Sequence, residues 1–130
     1  MASPFYFVAV PTATTIQVQI WLVGGTNALG ADFTGNFDPA LGTYVNFSGA
    51  PSGWTSAVNP GASSITVSMA NFATSDGAAA SSDEMLIAFN FNRVSGAPDF
   101  TFSFDDGASY ADPDLYTVPV DTPTALDFTF

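Results

Sequence analysis

The 130-residue sequence contains no cysteine, no histidine and no lysine, and Arg93 is its only basic side chain. Without cysteine there is neither a disulfide framework nor a thiolate zinc site. Without His, Cys and Lys, the roles of general base, nucleophile and Schiff-base amine would fall to carboxylates or hydroxyls, so the chain is expected not to be an enzyme. Twelve acids stand against one base, for a formal net charge of -11. Clustered cations that could neutralise phosphates are missing, which excludes nucleic acid and, by the same argument, anionic membrane surfaces as partners. No apolar run approaches the roughly 20 residues of a membrane-spanning helix. Met1-Ala2-Ser3-Pro4 carries no basic residue and the apolar stretch after it breaks at Pro11, so no secretory signal is expected. Helix signals are almost absent too. Only Thr74 to Asp83, through Ala78-Ala79-Ala80, permits a helix, and it is too short to be stable alone, so it reads as a loop.

What the chain does have is alternation. In Ala31-Asp32-Phe33-Thr34-Gly35-Asn36-Phe37, the residues Ala31, Phe33, Gly35 and Phe37 share one side of a strand, with Asp32, Thr34 and Asn36 on the other. Asp38-Pro39 stops it, since proline has no ladder donor. Ile16, Val18, Ile20 and Leu22 alternate as cleanly, and Gly24-Gly25 and Gly30 make the connecting loop. Two half-buried strands with apolar faces to hide predict a sandwich. Phe5 to Val10 is apolar on both sides, which predicts a central or covered strand. Further strands are expected over Thr43 to Ser48, Ser64 to Ala70, Met85 to Asn92 and Phe100 to Phe104. Others fall on Tyr116 to Val120, at an edge because of Pro119, and on Leu126 to Phe130. Met85, Ile87, Phe89 and Phe91 are expected to oppose Leu86, Ala88, Asn90 and Asn92. Trp54 and Tyr110 fall in expected loops. The reading is all-β: one domain over residues 1–130, a jelly-roll or Ig-like β-sandwich of about nine strands. Ile20, Phe33, Ile87, Phe89 and Phe102 are its expected core.

The order of segments resembles the cohesin domain, a nine-stranded jelly-roll-like sandwich that binds dockerins in cellulosomes. Gly30-Ala31-Asp32-Phe33 followed by Phe37-Asp38-Pro39-Ala40-Leu41 looks like that family's G-A-x-F-x-x-x-Y-D-P-x-x-L strand. Trp54 to Pro60 with Ile65-Thr66-Val67-Ser68 is similar to its middle strands, and Met85 to Phe91 sits where its G-x-L-A-x-I-x-F strand would be. The resemblance implies a cohesin-like fold. It also implies that Asp32 stands where the family presents an Asp to dockerin. Gly30 and Asn59 occupy positions where the family more often has a polar residue and an aromatic.

Candidate sites are few. Asp105, Asp106, Asp112 and Asp114 crowd a Gly- and Ser-containing loop and offer oxygen ligands suited to Ca²⁺, although the spacing is not that of an EF-hand. The plainer reading is a hydrophilic turn whose carboxylates cap local amides. No cofactor is required. The acid neighbours Asp105-Asp106 and Asp83-Glu84 would point to opposite faces of a strand, which does not suit a glycosidase pair. Tyr6, Trp21, Asp32 and Phe130 are the expected partner contacts. Trp21 falls on a polar face beside Gln17 and Gln19, and exposed aromatics serve as interface anchors or sugar platforms. A doubly apolar first strand and an aromatic last residue predict ends held by protein neighbours. The expected function is therefore structural: a decoration or cement protein of a virus capsid, homo-oligomeric, assembled in the host cytoplasm and located in the virion. The alternative is an extracellular recognition module, either of cohesin type for dockerin or of carbohydrate-binding type.

Overall fold

The computed structural model defines residues 3–26, 28–48, 54–71, 83–105, 107–111, 117–119, 123 and 125–130. Among them lie eleven strands: β1 (Phe5–Pro11), β2 (Thr15–Leu22), β3 (Gly30–Phe37), β4 (Gly42–Ser48), β5 (Trp54–Pro60), β6 (Ser64–Asn71), β7 (Glu84–Arg93), β8 (Asp99–Phe104), β9 (Ser109–Ala111), β10 (Thr117–Pro119) and β11 (Leu126–Thr129). They form two antiparallel sheets. The first has the order β1-β2-β7-β4. The second runs β10-β9-β3-β6-β5, with β8 joined to the far half of β3 and to β11. The count exceeds nine because β5 and the three-residue β9 are strands where loops were expected. β10 is an edge strand carrying Pro119, as expected, while Tyr116 and Val120 lie outside the described residues. So does most of the stretch from Thr74 to Asp83, the expected loop.

The alternation of β2 and β3 is what closes the sandwich. Ile16, Val18, Ile20 and Leu22 from the first sheet, and Ala31, Phe33 and Phe37 from the second, are all buried in one cluster. All five expected core residues are in it. Phenylalanine is its commonest residue type, and these rings cross between the sheets. Phe7 on β1 meets Phe102 and Phe104 of β8 edge-on at 5.2 and 4.9 Å, and Phe37 on β3 meets Phe91 on β7 at 5.0 Å. Such tilted and edge-to-face contacts between large rings are the favoured packing geometry. Gly35 keeps room for one of them, because a Cβ there would lie only 2.3 Å from the Phe102 Cζ.

Three expectations need correction, and a register slip in β4 adds to them. Strand β1 is an edge strand, hydrogen-bonded to β2. Its second apolar side (Tyr6, Val8 and Val10) faces outward, with Val10 44% exposed. In β7, the pairing with β2 slips by one residue between Ile20 and Trp21, leaving Leu86 unpaired. An extra residue in one strand of a pair shifts the alternation. Leu86 therefore joins Ile87 in the core, and Met85 moves outward opposite Trp21. A second slip in β4 skips Val45, which is 49% exposed, while Tyr44 packs on Phe89 and Phe91. Finally, Trp54 and Tyr110 are strand residues, Trp54 buried as the first residue of β5 and Tyr110 half-buried in β9.

Candidate functional site

Asp32, Tyr6 with Trp21, and Phe130 come to rest in three different places. Asp32 sits on the outer face of the second sheet, because its neighbours Ala31 and Phe33 are drawn into the core. The cross-strand register builds a platform around it: Asp32 opposite Ser68 and then Ala57, Thr34 opposite Thr66 and then Asn59, Asn36 opposite Ser64. Ser68 Oγ donates to Asp32 Oδ1 at 2.7 Å, and the Thr34 and Thr66 hydroxyls lie 3.4 Å apart. Asp32, Thr66, Ser68, Ala57 and Asn59 are exposed. A shallow depression of about 190 Å³ opens beside Asp32, between Thr66 and Gly107. The face is flat and made of short side chains that lose little rotamer freedom when covered. Its one described carboxylate away from the rim is that of Asp32.

Tyr6 and Trp21 are cross-strand partners on the outer face of the first sheet. Their rings are nearly parallel, with centroids 6.2 Å apart. Each polar tip is tied down. Tyr6 Oη donates to Asp83 Oδ2 at 2.6 Å, and Asp83 Oδ1 accepts from the Gly24 amide at 2.7 Å. These bonds hold the Asp83 carboxyl below the usual carboxylate range, and the same bond pushes the Tyr6 phenol up. Trp21 Nε1 donates to Gln19 Oε1, Gln19 Nε2 to Gln17 Oε1, and Gln17 Nε2 to Asn90 Oδ1, at 2.9, 2.9 and 3.0 Å. Asn90 Nδ2 then donates to Asn46 Oδ1 and Ser48 Oγ at 2.8 and 3.2 Å. This amide row crosses β2, β7 and β4. Its members on β7 and β4 were missed in the sequence, where Gln17 and Gln19 were the visible part.

Phe130 is half-buried against its own chain. Its amide donates to the Pro98 carbonyl at 3.0 Å, and its ring lies under the Arg93 guanidinium. Of the four acids considered for Ca²⁺, Asp105 is exposed and accepts a hydrogen bond from Asn36 Nδ2. Asp106, Asp112 and Asp114 lie outside the described residues. Among the described residues no three Asp or Glu side chains gather closely enough to hold a metal.

The fold is that of cohesin modules. The sixth cohesin of Acetivibrio cellulolyticus scaffoldin B, solved with a mutant Cel5 dockerin, superposes with a TM-score of 0.80 at 19% identity, over 100% of this chain and 99% of its own. A cohesin module from a Clostridium perfringens family 33 glycoside hydrolase gives 0.74 at 9% identity, over 98% of this chain and 97% of its own. A non-cellulosomal cohesin from the archaeon Archaeoglobus fulgidus gives 0.70 at 15%, over 98% and 93%. No protein-family model and no curated protein sequence matches the chain.

Proposed function

We propose that this chain is a single-domain, non-catalytic recognition module that holds a protein partner on the outer face of the β8-β3-β6-β5 sheet. The observation that carries this reading is the exposed Asp32 carboxylate at the centre of a flat Ser/Thr platform, on a fold shared end to end with cohesin modules. A flat face with one fixed carboxylate suits a partner that brings a donor or a cation to it and otherwise packs small groups. With a net charge of -11, the partner's contacting surface is neutral or basic. The dockerin in the scaffoldin B complex makes a dockerin-type module the partner class to test first. The extracellular setting goes with that class. The place in a virion and the homo-oligomer expected from the sequence draw no support from the fold comparison, in which the similar structures are cohesin modules.

Calorimetric titration of the chain with type I and type II dockerin modules tests the proposal. Saturable 1:1 binding that weakens at least tenfold in Asp32→Ala, about 1.4 kcal/mol, supports it. No binding to either type returns the case to the assembly reading, and binding indifferent to Asp32 overturns the assignment of this face.

A further inference from the structure

The opposite face differs in chemistry from the Asp32 platform. We propose that the outer face of the β1-β2-β7-β4 sheet binds a neutral oligosaccharide, independently of any partner held at Asp32. The strands place Tyr6, Val8 and Val10, then Gln17, Gln19 and Trp21, then Met85, Ala88 and Asn90, then Val45, Asn46 and Ser48 on this side. None of these is charged, in a chain of net charge -11. Asp83 stands at one corner, with its carboxylate engaged by Tyr6 and Gly24. A sheet face kept free of charge on so acidic a chain matches an uncharged ligand.

The chemistry narrows that ligand further. Each amide carbonyl has two lone pairs and each amide nitrogen two protons. The bonds from Trp21 through Gln19 and Gln17 to Asn90 use one of each on the two glutamines and leave the others free, in fixed orientation, whereas Asn90 spends both Nδ2 protons on Asn46 and Ser48 and keeps a lone pair on Oδ1. A row of spare donors and acceptors is answered by hydroxyl groups, which donate and accept at once. Sugar rings also carry apolar C–H faces, and the aromatic pair at one end of the row offers the surface they stack on. At the other end a trough of about 360 Å³ lies over Gln17 and Asn90, walled by Val10 and Val45. That volume is within the range of small-molecule sites. Gln17 and Trp21 are four residues apart, about 13 Å at the rise of a strand, which suits an oligosaccharide rather than a single sugar. Because the amides are already locked by one another, binding loses little side-chain entropy.

The test is calorimetric titration of the full chain with cellohexaose, with maltohexaose and with an anionic oligogalacturonate. The expected result is saturable binding of at least one neutral hexasaccharide, with a dissociation constant of about 1 mM or tighter. It should come with a shift in tryptophan fluorescence and no comparable binding of the anionic oligomer. Trp21→Ala should weaken binding at least tenfold, and Asp32→Ala should leave it unchanged. Should Trp21→Ala fail to give a cooperative melt, Gln17→Ala replaces it, with a loss of about fivefold expected. Absence of binding by both neutral sugars, equal binding of oligogalacturonate, or unaltered affinity in the folded variants would overturn the proposal. Because Asp32→Ala reads only the other face, failure here leaves the dockerin test standing, and the reverse holds.

Discussion

The Arg93 guanidinium lies 4.0 Å from the centroid of the Phe130 ring, while its Nε and Nη2 both donate to the Ala97 carbonyl at 3.0 and 2.6 Å. The only basic side chain of the sequence is thus spent inside the molecule. It ties the segment after β11 to the loop between β7 and β8. Arg93→Gln is expected to lower the unfolding free energy by about 1–2 kcal/mol, from the lost charge-assisted bonds and the cation–π contact. Phe130→Ala should cost a similar amount. The double variant should cost less than the sum, because both remove one shared contact. Urea unfolding of the four proteins measures this, and strict additivity would show that the two side chains do not cooperate.

Truncating Phe89 to Ala should cost about 3–5 kcal/mol, the range for a large side chain removed from a packed core. Phe89 has no solvent exposure and lies 5.9 Å from Phe102 across the sandwich. A melting curve matching the parent's would contradict the assignment of that strand face.

Gly35→Ala should destabilise by about 1–3 kcal/mol through overpacking. The added methyl would occupy space held by the Phe102 ring, which is wedged among Phe7, Phe89, Phe91 and Phe104 and has nowhere to swing. Thermal unfolding of the variant, with Gly25→Ala as a control that meets no atom but strains a positive φ of 89°, separates crowding from backbone strain. Restoration of stability in a Gly35→Ala, Phe102→Leu double variant is the sign of crowding.

The Tyr6 and Gly24 bonds to Asp83 predict a contribution to the acid limb of stability. A carboxyl held below its ordinary value of 3.8 binds its proton less readily folded than unfolded. Its contribution is therefore present above that value and is lost as the pH falls through the folded pKa. Removing the main cause, in Tyr6→Phe, should lower the melting temperature slightly at about pH 5 and by progressively less as the pH falls below 3.8, so that the two curves approach each other in acid. Parallel curves over that range would mean that the bond contributes nothing to the titration.

Much of the fold was legible because β2 and β3 alternate strictly, with every inward position apolar or glycine. That pattern placed Ile20 and Phe33 correctly without knowledge of their partners. The direction of Leu86 was not legible, since Met85, Leu86 and Ile87 are all apolar and an extra residue among them leaves no mark in the pattern. Strand β1 misled for a related reason. Apolar residues on both sides signal burial, yet Tyr6, Val8 and Val10 face outward on an edge. At the candidate faces, Trp21 and Asp32 stood out by side-chain type and parity. Asn90 and Asn46 did not, because their meeting with Gln17 depends on register across three strands distant in sequence.

The charge-free face also gives the molecule a direction of approach. Every described carboxylate lies at a strand end, in a loop or on the opposite sheet, so the field of these described carboxylates is weakest over Gln17, Gln19 and Asn90. Another acidic body drifting near it, including a second copy, meets least repulsion on that side. In dilute salt, encounters are therefore biased to present the amide row first. At an ionic strength where the screening length falls to a few ångströms, about 1 M, the bias disappears and all orientations become equally frequent.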